Sequence, residues 1–348
     1  MPAANKRIRM IPAGKVALII IFNHRFDKNI PVLEELYLSR FSAIFHLVPF
    51  YDGDKPNVIA VYESSFYFQG YISQGFKSFF SQQFEHYIFV ADDMILNPNI
   101  NEHNYQEVFS LSKESSFIPE LFTLNNYANN ETLRFHPHVS FKDRILSQKH
   151  KKPKKLLWNR TSEAIQYDPQ KEGVEGFKEL PSYDAALNII RDHGIDLNPV
   201  LEYDDVHSCP AISIKDISDL FTYAKGKIQN KTYTLRYPVV ASYSDLVIVS
   251  ADAIKRFVQY CGVFAATELF VEFAIPTALL LSSRKVITEP ALSKRGLIYW
   301  VYTDKQKEIY ERDMMRYDYN LQQLIKNFPA DKLYIHPVKL SRWRKAES

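Results

Sequence analysis

The first hundred residues alternate between continuous apolar runs and segments with helical spacing of their apolar residues. The runs are rich in β-branched residues and do not alternate with polar ones, which is typical of parallel strands buried on both faces. We predict strands at 16–22, 43–48, 57–61 and 87–90, with helices at 31–41 and 66–84. This β-α-β-β-α-β order predicts a doubly wound α/β sheet.

A second ordered block begins near residue 237. We predict a strand at 246–249, with Ser250 as the N-cap of a helix at 251–261. An earlier helix is predicted at 183–193 and ends at Gly194. A mostly buried helix is predicted at 267–281, with a kink near Pro276. A long amphipathic helix is predicted at 303–327, with Thr303 or Asp304 as its cap.

These elements predict a Rossmann-like, mostly parallel central sheet flanked by helices, with an irregular middle insertion. We divide the chain into a flexible lead at 1–14, a first half at 15–100, an irregular linking region at 101–236, and a second half at 237–348 with a basic tail. A chain of 348 residues can hold these parts in one compact domain.

Composition narrows the class of protein. A hydrophobic fraction of 46% and a charged fraction of 24% are typical of a globular soluble chain, and a net charge of +3 is too small to indicate a nucleic-acid partner. The two cysteines, Cys209 and Cys261, exclude a disulfide framework and favour a reducing cytosol. No apolar stretch is long enough to span a membrane, so we expect a cytoplasmic protein, and the basic run at 149–155 keeps a peripheral contact with an anionic membrane open.

Two adjacent carboxylates, Asp92 and Asp93, directly follow the apolar run at 87–90 and precede Met94, Ile95 and Leu96. Burying a carboxylate is costly unless a cation or strong hydrogen bonds compensate it. In α/β sheets, ligands bind just outside the carboxyl ends of the strands. We therefore predict that this pair holds a hard divalent cation together with phosphate oxygens and water, the alternative being a structural turn or helix cap.

With its β-α-β start, the strand ending in Ala91-Asp92-Asp93 and a later acidic helix, the chain resembles the GT-A-fold glycosyltransferases over roughly residues 15–100 and 237–341. The resemblance implies a metal-dependent enzyme that moves a sugar from a nucleoside-diphosphate sugar to a glycan or lipid-linked glycan, with inversion favoured. The family holds Mn²⁺ or Mg²⁺ with such an acidic motif, so Asp93, assisted by Asp92, would hold that cation here. Alternatively, Asp93 alone would bind the metal and Asp92 would contact the ribose or the sugar of the nucleotide sugar. Ala91 stands where the family's Asp-X-Asp motif has its first acid.

The same resemblance assigns the first half to the nucleotide sugar and the second half to acceptor binding and catalysis. The turn after the first strand would bring Asn23, Arg25 and Asp27 to the nucleotide, although a plain surface turn is an alternative. A late histidine, His336, would complete the metal site, and Lys339 would grip the diphosphate. Asp245 is a candidate acceptor contact.

Glu268 and Glu272 are the candidate catalytic acids. They stand four residues apart among apolar neighbours, which predicts that both lie on one helical face. Two like charges on such a face raise the pKa of at least one of the two carboxyl groups, which suits a general base. The family often carries an acid at the start of a comparable helix after a glycine-containing loop. Residues 262–267 match such a loop, so Glu268 is the preferred base.

Two other functions remain open. A sugar nucleotidyltransferase shares the fold but normally carries a glycine-rich basic loop after the first strand, and residues 23–29 contain no glycine. A non-catalytic binding or scaffold protein of glycan assembly is the third possibility, which the alanine at position 91 keeps open.

Overall fold

The computed structural model describes residues 14–124, 163–170, 178–206, 217–299 and 304–343. Nearly all of the predicted N-terminal lead lies outside these ranges. The basic run at 149–155 and the last five residues of the chain also lie outside them.

The strands are β1 (Val16–Ile21), β2 (Ile44–Pro49), β3 (Val58–Val61), β4 (His86–Ala91), β5 (Ile95–Leu96), β6 (Ser115–Phe117), β7 (Val200–Glu202), β8 (Thr232–Thr234), β9 (Leu246–Ser250), β10 (Lys285–Ile287), β11 (Arg295–Ile298) and β12 (Lys332–His336). The helices are α1 (Ile30–Tyr37), α2 (Phe68–Phe79), α3 (Tyr105–Val108), α4 (Tyr183–Asp192), α5 (Tyr203–Val206), α6 (Ile217–Ile228), α7 (Ile254–Ala266), α8 (Val271–Ser282), α9 (Asp304–Met315) and α10 (Leu321–Lys326).

Seven strands form the central sheet in the order β10-β6-β9-β4-β1-β2-β3. All of them run parallel except β9, which is antiparallel to both of its neighbours, β4 and β6. The prediction of an α/β protein with a mostly parallel central sheet is confirmed. Strands at the centre of such a sheet are covered on both faces, and every residue of β1 is buried.

Alternate residues of β1 enter two different hydrophobic cores, as the two-residue period of a strand requires. Ala17, Ile19 and Ile21 pack on the side that holds α2, α7 and α8. Val16, Leu18 and Ile20 pack on the other side, with α1, α9 and α10. Among the described residues, no helix combines the length and the apolar character needed to cross a membrane.

A small sheet, β11-β12-β5, lies beside the end of β4. β5 follows Asp93 closely along the chain, and β12 runs antiparallel to it, with Ile335 opposite Ile95. The pairing continues past the strands, because the Val338 amide donates to the Asp93 carbonyl oxygen at 2.6 Å. A strand from the last part of the chain is thereby fixed against the end of β4.

The predicted helix start at Ser250 is wrong. Ser250 is the buried last residue of β9, and its hydroxyl donates to Asp252 Oδ1 at 2.5 Å. Helix α7 begins only at Ile254 and continues to Ala266, through Gly262 and most of the predicted glycine-containing loop at 262–267.

The single long helix predicted at 303–327 is also wrong, because α9 and α10 are separate. Asp318 and Tyr319 between them have φ of 56° and 48°, a left-handed conformation that a right-handed helix cannot continue through. Asn320 then caps α10 by accepting from the Gln323 amide at 3.1 Å. The region predicted to be irregular, 101–236, contributes β6 to the central sheet and contains α4, which ends before Gly194 at φ +80°.

Candidate functional site

The candidate site lies at the edge of the sheet where the parallel strands end and the antiparallel strand β9 begins. Backbone hydrogen bonds hold the three strand ends together. The Ala91 amide donates to the Asp245 carbonyl, and the Asp92 amide donates to the Ile21 carbonyl, both at 2.9 Å. Because β9 runs in the opposite direction, its amino end brings Asp245 to the same edge as Asp92 and Asp93.

Asp92 is the most deeply buried acid of this edge, with 4% of its surface exposed. Its Oδ1 accepts from the Asn23 backbone amide at 3.3 Å, so the carboxyl group is attached to the turn after β1. Burial and the neighbouring charge of Asp93 raise the pKa of Asp92 to about 7, although hydrogen bonds from Asn23 and Asn29 lower it. Asp92 therefore supports the turn after β1, in addition to its predicted contact with a cation.

Asp93 faces His336 across a short gap, with 3.2 Å between Oδ1 and Nε2. Burial alone would raise the pKa of Asp93, but the contact with His336 and the charge of Lys339 outweigh it and hold the pKa below its usual value. Oδ1 is buried and accepts no hydrogen bond of good geometry within the described part of the chain. An anionic oxygen in this position has strong affinity for a cation.

A second carboxylate also lies close to His336, because Asp245 Oδ1 is 4.0 Å from the same Nε2. Burial lowers the pKa of His336, but Asp245, Asp93 and Asp92 together raise it to about 9. Burial also raises the pKa of Asp245, reinforced by Asp93 and opposed by His336. At neutral pH the imidazole is thus a cation that partly neutralises a cluster of acids.

Asp93 and His336 fit a Mn²⁺ or Mg²⁺ ion once the imidazole has released its proton, because only a neutral ring nitrogen can ligate a metal. Two ligand atoms at about 2.1 Å from an octahedral ion and at right angles to each other stand about 3 Å apart, close to the 3.2 Å between Oδ1 and Nε2. In the described ranges, no group of three or more His, Cys, Asp or Glu side chains has the geometry of a metal site. An ion held here would need water and phosphate oxygens as its other ligands, which is how Mg²⁺ is commonly bound.

Lys339 is exposed three residues after His336. Its charge reaches Asp93, as the lowered pKa of that carboxyl shows. An exposed ammonium beside a buried acidic cluster is available to a ligand that carries phosphate. The structure thus brings together Asp92, Asp93, Asp245, His336 and Lys339 from three distant parts of the chain.

Arg25 and Asp27 lie further out on the turn after β1. The Arg25 guanidinium contacts Asp27 Oδ2 at 3.3 Å, the Phe50 carbonyl at 3.1 Å and the Asp52 carboxylate. These contacts tie the turn after β1 to the turn after β2. Of the three predicted nucleotide contacts, Asn23 alone bonds to the acidic cluster within the described residues, through its backbone.

The prediction that Glu268 and Glu272 share a helical face is wrong. Glu268 lies in the turn between α7 and α8, with φ of 56° and an exposed side chain, whereas Glu272 is in the first turn of α8. A residue in the left-handed region ends one helix before the next begins, so the spacing of four has no helical meaning here. The main chain of Glu272 does lie near the site, because its carbonyl accepts from the Ser242 amide at 3.0 Å.

Two acids that the sequence did not single out follow the strands on the far side of Asp245, and a tyrosine of β12 bonds to one of them. Glu120 follows the end of β6, Glu289 follows the end of β10, and Tyr334 in β12 donates its hydroxyl to Glu289 Oε1 at 2.6 Å. Glu120 comes just after Phe117, Ile118 and Pro119, so an acid following a short apolar run was the available signal.

A cavity of about 370 Å³ opens elsewhere, at the start of α7. Three basic residues, Lys255, Arg256 and Arg284, line it together with Asp252. Since His86 at the start of β4 pairs with Ser250 at the end of β9, this cavity belongs to the opposite edge of the sheet. It takes no part in the acidic site.

Comparisons of the chain with protein-family models, curated proteins and solved structures find no match. The function therefore has to be argued from the site itself.

Proposed function

We propose that the chain is a metal-dependent glycosyltransferase with a GT-A-like fold that transfers a sugar from a nucleoside-diphosphate sugar to a glycan or a lipid-linked glycan. The observation that carries this proposal is the buried Asp93 Oδ1, which faces His336 Nε2 at 3.2 Å at the carboxyl edge of a mostly parallel sheet. Ligands of α/β proteins bind at this edge, and a diphosphate with its cation matches these donors.

The chemistry of glycosyl transfer requires the charges that this edge offers. When the bond between sugar and diphosphate breaks, negative charge develops on the leaving oxygen. A bound Mn²⁺ or Mg²⁺ supplies Lewis-acid stabilisation of that charge. Asp93 and His336 would hold the ion, Lys339 would add a positive charge at the diphosphate, and Asp92 would fix the turn that carries Asn23.

The nucleotidyltransferase alternative finds less support. Its chemistry needs a basic loop after β1 that is open to triphosphate, and Arg25 in that turn is already engaged by two carboxylates and a carbonyl. The proposed enzyme acts in the cytoplasm, where a lipid-linked acceptor would bring it to the membrane surface. The proposed transfer inverts the configuration of the anomeric carbon.

A thermal-shift screen of UDP, GDP, CDP and TDP, each with and without Mn²⁺, tests the proposal. A nucleotide present at about a hundred times its dissociation constant stabilises the fold by about 2.7 kcal/mol, which raises the Tm of a chain of this length by about 4 °C. We expect one nucleotide to do so only with Mn²⁺. Asp93→Asn should abolish the shift, because the amide no longer attracts the ion.

Asp196→Asn is the matched control, since Asp196 is exposed and lies between α4 and β7. It should keep the full shift. If no nucleotide stabilises the wild type with Mn²⁺, the acidic pair is structural and the proposal fails. If a nucleotide binds with Mn²⁺ but no nucleotide sugar is turned over, the protein is a binding module of the same fold.

A further inference from the structure

The central sheet continues beyond Asp245 to β6 and β10, and an acid follows each of these strands. Phe117 at the end of β6 pairs antiparallel with Ile248 of β9. Further along the two segments Phe122 pairs with Ala241, a register shifted by two residues, which places Glu120 near Tyr243, two residues before Asp245.

Further contacts fix this stretch of backbone. Phe122 and Ala241 exchange both of their backbone hydrogen bonds at 2.8 Å, and the Ser242 hydroxyl donates to the Glu120 carbonyl. Glu120 is therefore held beside the segment that leads to Asp245. It lies on the side of Asp245 away from β4, and so away from Asp93 and the predicted diphosphate.

The carboxyl groups of Glu120 and Glu289 differ in their partners. Glu289 has both oxygens engaged, Oε1 by the Tyr334 hydroxyl at 2.6 Å and Oε2 by the Gly296 amide at 3.1 Å. The side chain of Glu120 is half-buried and makes no hydrogen bond to any described residue. Burial and the charge of Glu289 raise the pKa of Glu120, and Arg295 opposes them.

We propose that Glu120 is the general base that takes the proton from the acceptor hydroxyl, in place of Glu268. The inference rests on the proposed glycosyltransferase function. The acceptor oxygen forms a bond to the anomeric carbon while its proton passes to a Glu120 oxygen, and the bond from that carbon to the diphosphate breaks. The nucleoside diphosphate leaves with the electron pair, on the side of Asp93, His336 and Lys339.

The two neighbouring acids are less suited to this role. Asp245 lies 4.0 Å from the His336 imidazole, whose positive charge it stabilises. Glu289 would have to give up its bond to Tyr334 to accept a proton in the same orientation. Glu120 is the acid of this edge whose oxygens are free of such bonds among the described residues, and a base needs a free oxygen within reach of the hydroxyl.

The test separates binding from turnover in wild type, Glu120→Gln, Glu120→Asp and Glu268→Gln, with Glu114→Gln as a control on the opposite edge of the sheet. Calorimetry measures the Kd of UDP and GDP with Mn²⁺. Release of nucleoside diphosphate from a panel of UDP- and GDP-sugars, with water as the acceptor, measures turnover. NMR of the released sugar gives its anomeric configuration.

We expect Glu120→Gln to bind the nucleotide within about threefold of wild type but to release nucleoside diphosphate some 10²–10⁴-fold more slowly. Glu120→Asp should recover part of the rate, the two other variants should match wild type, and the product should be inverted. Full turnover in Glu120→Gln, or a loss of nucleotide binding in it, would overturn the role of Glu120 while leaving the transferase in place. A product with retained configuration, or a loss of turnover in Glu268→Gln, would also overturn the role of Glu120 while leaving the transferase in place. Wild-type protein that neither binds nucleotide nor releases nucleoside diphosphate would overturn both proposals.

Discussion

The buried histidine of β2, His46, should make the stability of the fold depend on pH. Its side chain has no exposed surface, and neither ring nitrogen has a hydrogen-bond partner among the described residues. The nearest acid is Glu34, with Oε1 at 3.7 Å from Nε2, and the Phe22 ring packs edge-on at 5.8 Å. Burial outweighs the attraction of Glu34 and lowers the pKa of His46 from 6.5 to about 4.

The sign and size of the effect follow from proton linkage. Between about pH 4 and 6.5 the unfolded chain binds a proton at His46 and the folded chain does not, so stability rises with pH in this window. The contribution is fully present above pH 6.5 and is lost as the pH falls toward 4. The loss is about 2.5 kcal/mol at pH 4.5 and approaches about 3.4 kcal/mol below pH 4.

Urea unfolding of wild type and His46→Leu at pH values from 7.5 to 4.5 measures this contribution. Leucine removes two unpaired buried nitrogens, so the variant should be at least as stable as wild type at pH 7.5. Its advantage should then grow by about 2.5 kcal/mol at pH 4.5. His103→Gln is the control for replacing a histidine at a surface position, because the His103 side chain is 85% exposed. A difference between wild type and His46→Leu that does not change with pH would refute the reasoning.

Three further predictions concern single contacts, and chemical unfolding at pH 7.5 measures each of them. Arg40→Met should lower the free energy of unfolding by about 3 kcal/mol, because the half-buried guanidinium donates at 2.7 and 2.8 Å to two carbonyls of the turn after β5. An unchanged free energy of unfolding would mean that water replaces the guanidinium at these carbonyls. Gly296→Ala should cost about 1–3 kcal/mol, since the new Cβ would collide with the Tyr334 ring, and a neutral result would show that the ring moves freely. Ser182→Ala should cost about 1 kcal/mol by removing the acceptor for the Ala185 amide at the start of α4, and no loss would show that this cap is dispensable.

The first half of the fold could be predicted because its strands are continuous apolar runs. The four predicted strands coincide with β1 to β4 within one or two residues at each end. The direction of β9 could not be predicted, since Leu-Val-Ile-Val reads alike in a parallel and an antiparallel strand. β6 was not predicted because Ser-Ser-Phe carries little apolar signal, and its burial comes from pairing with β9 and β10.

The candidate site was partly predictable for the same reason. Asp92 and Asp93 were found because an acid pair after a buried strand has few structural explanations. The contact between Asp93 and His336 depends on the pairing of β5 with β12, which no local sequence pattern specifies. Glu268 and Glu272 were misplaced because a helical period was assumed to run through a residue that adopts a left-handed conformation.

The place of β9 in the middle of the sheet has a consequence for how the chain is made. β4 and β6, the strands that flank it, are both synthesised before it, and more than a hundred residues separate Phe117 from Leu246. At ribosomal speeds of about 5–20 residues per second, the nascent chain spends on the order of ten seconds with these two strands lacking their shared neighbour. Unpaired strand edges are templates for aggregation. We expect ribosome-bound chains that stop before β9 but have β6 outside the ribosome to recruit chaperones, and chains with β9 outside the ribosome to release them.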